Sequence, residues 1–156
     1  MYRQLKAIAV GILLTLTFSL ILPNTTWASS QELGIKLGHL ASCPASPNCV
    51  VTQGAADAKH AIDPITYHLD RNEAKKVLLK VLTVVPRTEV IEETDNYIHA
   101  LSKSRIFKFV DDVEFYLPAN ESVIQMRSAS RLGDSDLGVN RRRLEQIRLA
   151  LRDLNI

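Results

Sequence analysis

Hydrophobic positions along the chain fall into three distinct patterns. Ala7 to Leu22 is an uninterrupted, mostly apolar run closed by Pro23 and Asn24. Beyond it, Ala74, Val77, Leu78, Val81 and Leu82 recur at helical spacing, while Lys75, Lys76 and Lys80 fall elsewhere, so this segment predicts an amphipathic helix with a solvated lysine face. Asp70, three residues before Glu73, is the pair that opens it, and Pro86 ends it. Ile65, Tyr67 and Leu69 alternate just before, which predicts a short extended segment.

After Pro86 the period changes to two. Thr88 to Thr94 and Tyr97 to Lys103 flank Asp95-Asn96, the residue types of a two-residue hairpin turn. Phe107 to Leu117 and Ser122 to Ser130 flank a second turn containing Pro118 and Asn120. A second helix is predicted from Arg141 to Leu154, capped by Asn140, with Val139 and Leu144 as a hydrophobic staple and Leu144, Ile147, Leu151 and Leu154 as its inward stripe. The order helix-strand-strand-strand-strand-helix predicts an α+β domain. Its sheet is four- to five-stranded and mainly antiparallel, with the helices packed on one face.

Length and charge narrow the setting. At 156 residues the chain holds one domain. Arg3 and Lys6 precede the apolar run and Thr26-Trp27-Ala28 follows it, which reads as a signal peptide over 1–28 cleaved after Ala28; the run is short of the ~20 residues of a membrane-spanning helix. Losing Arg3 and Lys6 takes Lys+Arg from 19 to 17, against 17 Asp+Glu, none of which precedes Ala28. A formally neutral mature chain has no general electrostatic attraction to nucleic acid. Residues 29–62 then read as an N-terminal extended segment, with a polar linker from Thr52 to Lys59, and 63–156 as the α+β domain. Cys43 and Cys49 have five residues between them, two of them prolines, and an exported chain meets an oxidising compartment, so a structural disulfide is expected. A metal site from Cys43, Cys49, His39 and His60 matches no familiar zinc spacing. The expected localisation is extracytoplasmic: periplasm, thylakoid lumen or secreted.

The second hairpin carries the most specific chemistry. Phe107, Phe109, Asp111, Val113, Phe115 and Leu117 share one face, and Asp111 is the single charge among them, so it points inward and requires donors. If Leu117 pairs with Ser122, Asp111 lies opposite Ser128 and Asp112 faces Arg127 on the other side of the sheet. On that register Asp112→Ala is expected to cost far less stability than Asp111→Ala.

The run "SASRLGDSDLGVNRRR", Ser128 to Arg143, follows. Gly133 and Gly138 permit tight turns, and Arg141 to Arg143 occupy the first helical turn, where the helix dipole disfavours positive charge. Negative groups are therefore expected beside them. The candidate residues are Asp111, Ser128, Ser130 and Arg131 with Asp134, Asp136, Asn140, Arg141 and Arg143. They form either an internal network, in which the aspartates satisfy Arg131, Arg141 and Arg143, or a site for a small anion, a lipid headgroup or an acidic protein segment. Helical spacing turns Arg142 to solvent and makes it dispensable. Asp134, Asp136, Asn140 and Glu145 also sit at calcium-loop spacing, but Val139 stands where the glycine belongs. No nucleophile and base occur at recognisable spacing. No catalytic residue or cofactor is assigned, and the runner-up is an enzyme acting on an anionic substrate through Asp111 and Arg131.

Together "CPASPNCV", "DDVEF" and the serine-arginine run resemble an uncharacterised family of bacterial and plastid proteins known as domain of unknown function 1499, over Cys43 to about Leu151. The resemblance implies an envelope or chloroplast setting and transfers no catalytic role. An exported binding or assembly accessory is the function expected.

Overall fold

The computed structural model describes residues 32–156, so the predicted signal peptide and its cleavage point lie outside the described residues. Eight strands and two helices follow in order. They are β1 (Ile35–Lys36), β2 (His39–Leu40), β3 (Cys49–Val51), β4 (Ile65–Thr66), α1 (Arg71–Val84), β5 (Thr88–Glu93), β6 (Tyr97–Lys103), β7 (Val110–Tyr116), β8 (Val123–Ser130) and α2 (Val139–Asp153). The fold is α+β. The strand count exceeds the expected four or five, because β3 and β4 from the N-terminal part both pair with β8 and extend the sheet to the order β3-β8-β7-β6-β5, while β1 and β2 make a separate two-stranded sheet.

The helix openings follow from local chemistry. The Asp70 carboxylate accepts from the backbone N–H of Asn72 at 2.8 Å, and α1 buries Ala74, Leu78, Val81 and Leu82 as its spacing requires. Both helices cover one face of the sheet, where Leu144, Ile147 and Leu151 meet Ile98, Val113, Phe115, Ile124 and Met126. Burial of each such side chain stabilises the fold by roughly 1.5–3 kcal/mol. At the C-terminal end Leu154 is exposed rather than inward: α2 stops at Asp153, Asn155 takes a left-handed backbone, and Ile156 occupies the core place instead.

Three further expectations are corrected. The strand expected from Phe107 begins at Val110, because Ser104 closes a turn on Phe109: its N–H donates to the Phe109 carbonyl, and its Oγ accepts from the Phe109 N–H. Phe107 and Phe109 thus leave the sheet and are exposed. The register between β7 and β8 is shifted by two residues, pairing Asp111 with Ser130, Asp112 with Ala129 and Glu114 with Arg127. Finally, α2 starts at Val139, with Gly138 in a left-handed conformation before it. Val139 is therefore the first helical residue and exposed, and the staple does not form.

The opposite face of the sheet is not open to water. Residues 32–62 fold across it, and Leu40 and Val51 form a second small apolar cluster with Tyr97, with Ile35, Cys43 and Tyr116 packed on it. Cys43 and Cys49 are disulfide-bonded at the edge of this cover. His60 hydrogen-bonds Asp57 through Nδ1 and the Ser46 carbonyl through Nε2, which ties the knuckle to the following loop.

Candidate functional site

On the helix-covered face, the side chains of β7 and β8 stay apolar until the end of the sheet, where Asp111, Ser128 and Ser130 meet the start of α2. Arg143 donates from Nη2 to Asp111 Oδ2 at 2.6 Å, and from Nη1 to Ser128 Oγ at 3.0 Å and Asn140 Oδ1 at 2.7 Å. Ser128 Oγ in turn donates to Asn140 Oδ1 at 2.6 Å. Asn140 Nδ2 donates to Ser130 Oγ and to the Asn48 carbonyl, both at 3.0 Å, and the Asn48 side chain donates to the Gly133 carbonyl. All of these residues except Gly133 are buried. The cluster joins the disulfide knuckle, the two central strands, the glycine loop and α2 through one set of hydrogen bonds.

Five of the nine candidate residues therefore meet: Asp111, Ser128, Ser130, Asn140 and Arg143. The other four go elsewhere. Asp136 is the real cap of α2, its carboxylate accepting from the N–H groups of Gly138 at 2.9 Å and Asn140 at 2.7 Å, so the capping role expected of Asn140 belongs to it. Arg141 donates to the Lys59 carbonyl at 2.8 Å, and Asp134 is exposed and in no ion pair among the described residues. Arg131 passes to the opposite face, where Nε and Nη2 grip both oxygens of Asp112 at 2.9 and 2.8 Å. Asp111 and Arg131 thus lie on opposite faces of the sheet, Asp111 engaged by Arg143 and Arg131 by Asp112.

Sequence reasoning missed the second cluster. Asp112 and Glu114 occupy the face away from the helices, and both are buried there beneath residues 32–62. Glu114 accepts from the Tyr97 hydroxyl at 2.8 Å, the Gly34 N–H at 2.7 Å and Arg127 Nη1 at 2.9 Å. Asp112 accepts from His99 Nε2 at 2.8 Å besides Arg131. Burial pushes the Asp112 carboxyl up, but the hydrogen bonds from His99 and Arg131 outweigh it and hold the group at about 2. Burial, and then the Glu114 carboxylate, push the Tyr97 hydroxyl well above its ordinary range. The signal that was available is the alternation Tyr97, His99 against Asp112, Glu114 against Arg127, Arg131, which places complementary groups on neighbouring strands. A cavity of about 380 Å³ opens beside Tyr97 and His99, but the hydroxyl and Nε2 are already committed to carboxylates.

A third feature lies at the end of the sheet where β6 finishes and α2 begins. A cleft of about 290 Å³ is lined by Arg87, Lys103, Arg105 and Arg142 beside Arg143, and no carboxylate is among its lining residues. Arg143 is neutralised by Asp111. Among the described residues the other four cations are in no ion pair; Arg87 and Arg142 donate only to backbone carbonyls, of Lys103 and Leu137. Arg142, expected to be dispensable, is exposed as its spacing requires and belongs to this cleft.

Residues 39–151 match the family described as protein of unknown function DUF1499. The chain belongs to that family. No curated protein and no solved structure matches it. The DUF1499 segment contains the side chains of both buried clusters, the disulfide and the cationic cleft, and leaves out β1 and Gly34. Among the described residues no three His, Cys, Asp or Glu side chains gather as metal ligands, and no helix is long and apolar enough to cross a membrane. Chemically, the two clusters have their charges matched within the fold, whereas the cleft presents unmatched positive charge to solvent.

Proposed function

We propose that this DUF1499 protein is an exported binding or assembly accessory that holds a negatively charged group in the cleft between the end of β6 and the start of α2. The observation that carries this reading is the set Arg87, Lys103, Arg105 and Arg142 around one cleft without a carboxylate. Arginines at that density bind oxyanions through charge-assisted hydrogen bonds, and the N-terminus of α2 adds its dipole. Export is supported by the apolar leader and by the Cys43–Cys49 bond, which persists in oxidising compartments. Intact mass of the secreted or periplasmic protein is expected to give a chain starting at Ser29 with no free thiol; a start at Met1 or two free thiols overturns export.

The binding reading is tested by melting temperature. Phosphate or sulfate stabilises the wild type by mass action, RT ln(1 + [L]/Kd), and Arg105→Ala with Arg142→Ala abolishes the gain without lowering the starting stability, since both side chains are exposed. Arg141→Ala, whose side chain is turned toward Lys59, retains it. A wild type indifferent to both anions removes the reading.

A further inference from the structure

The turn between β6 and β7 carries Ile106, Phe107 and Phe109 at 76%, 73% and 49% exposure. The two phenylalanine rings stack with centroids 5.6 Å apart, and the Ser104–Phe109 hydrogen bonds fix the turn that displays them. The loop from β8 to α2 leaves the same end of the sheet, since Arg131 N–H donates to the Val110 carbonyl, and it adds exposed Leu132 and Leu137. Arg105 and Lys108 lie in the same turn, and Arg87, Lys103 and Arg142 line the clefts beside it, with Glu89 as the one carboxylate among those lining residues. Exposed aromatic and aliphatic tips beside an excess of Lys and Arg are the composition of a surface that enters a lipid interface, where apolar groups reach the acyl boundary and cations stay with the phosphates.

We infer that this end of the molecule docks on an anionic phospholipid bilayer, the cleft taking a lipid phosphate and the Ile106–Phe109 turn entering the interface. The inference rests on the anion-binding reading of the cleft. Two observations favour a bilayer over an acidic protein segment. The apolar side chains stand exposed on the turn between β6 and β7, as suits a medium that they can penetrate. Charge also favours an anionic surface: Arg87, Lys103, Arg105, Lys108 and Arg142 outnumber Glu89 and Asp134 at this end, whereas at the opposite end Asp95 and Glu93 are matched by Arg71 and Lys75.

The test is co-flotation of the secreted protein with vesicles of phosphatidylcholine alone or mixed with phosphatidylglycerol, alongside melting in inorganic phosphate. The wild type is expected to float with the mixed vesicles only and to be released by salt. Phe107→Ser with Phe109→Ser, exposed positions that leave the melting temperature unchanged, is expected to weaken vesicle binding about tenfold or more while the phosphate stabilisation stays. Arg105→Ala with Lys108→Ala is expected to weaken vesicle binding too and to flatten its salt dependence. A wild type stabilised by phosphate that ignores the mixed vesicles overturns the membrane inference and leaves the cleft reading standing; indifference to both overturns both. Vesicle binding that survives the phenylalanine changes, or polyglutamate that competes equally well with wild type and phenylalanine variant, assigns the surface to an acidic polypeptide and overturns the inference.

Discussion

Asp111 and Asp112 are adjacent in sequence, point to opposite faces, and are both buried in ion pairs with arginine. The inward Asp111 was legible because it interrupts an apolar alternation. Asp112 was not, because the layer that covers it comes from residues 32–62, which carry no periodicity and gave no sign that they would fold over the sheet. The expectation that Asp112→Ala would be mild is therefore wrong on this burial. Asp111→Ala is expected to destabilise by roughly 3–5 kcal/mol, since Arg143 is left enclosed. Asp112→Ala is expected to cost about 2–3 kcal/mol, because Arg131, with 45% of its side chain exposed, can turn to water. Denaturant midpoints of the two variants measure this. The Asp112 carboxyl is held at about 2, below its ordinary 3.8, so it favours the folded state above that ordinary value and loses this contribution as pH falls from about 4 to 2. The amount is of the order of 2 kcal/mol. Asp112→Asn is expected to flatten the stability profile across that window; a variant with the same acid slope as wild type would show that another carboxylate governs it.

At the scale of elements, the alternation and capping residues of the second half placed both helices and the four long strands to within a few residues. What they did not place was the β7–β8 register. Leu117 donates its N–H to the Asn96 carbonyl of the neighbouring turn and Pro118 is buried, so the connection to β8 is two residues longer than the one expected from pairing Leu117 with Ser122. A slip of two preserves the faces, which is why Asp111, Ser128 and Ser130 still share one side although their cross-strand partners changed. The start of α2 is set by Asp136 and Gly138. Gly138 has φ 76°, and a Cβ there would lie 3.1 Å from Arg142 Nη1. Gly138→Ala is expected to destabilise by about 1–2 kcal/mol, mostly from left-handed backbone strain. Gly133→Ala, also at positive φ but with open space around it, is expected to lose a similar strain term and no contact term. Thermal melts of the pair check the size of the difference; an unchanged melting temperature for Gly138→Ala would mean that the loop relaxes and does not fix the helix start.

For the molecule as a whole, composition and arrangement give different answers. With Arg3 and Lys6 set aside, positive and negative side chains balance at 17 each, a balance that gives no general attraction to polyanions. The fold then sorts the charges. The buried clusters pair Asp111, Asp112 and Glu114 with Arg143, Arg131 and Arg127 one for one and so leave the balance of the remaining charges unchanged. Arg87, Lys103, Arg105, Lys108 and Arg142 gather at one end in no ion pair among the described residues and outnumber Glu89 and Asp134 there, while at the other end Asp95 is matched by Arg71. None of this was legible from a net charge, because it depends on where the fold places each surface charge. The polarity has a measurable consequence separate from any ligand. A cation exchanger senses the local field of one face, so the mature protein is expected to be retained at neutral pH and low salt despite a formal charge of zero. Arg105→Glu with Lys108→Glu is expected to abolish retention. Lys76→Glu on α1, an equal change per residue at a site paired with Glu73, is expected to shift the elution salt only slightly. Equal shifts per unit charge from both sites would mean that the column reads total charge, and the cationic end would then have no field of its own with which to orient the molecule.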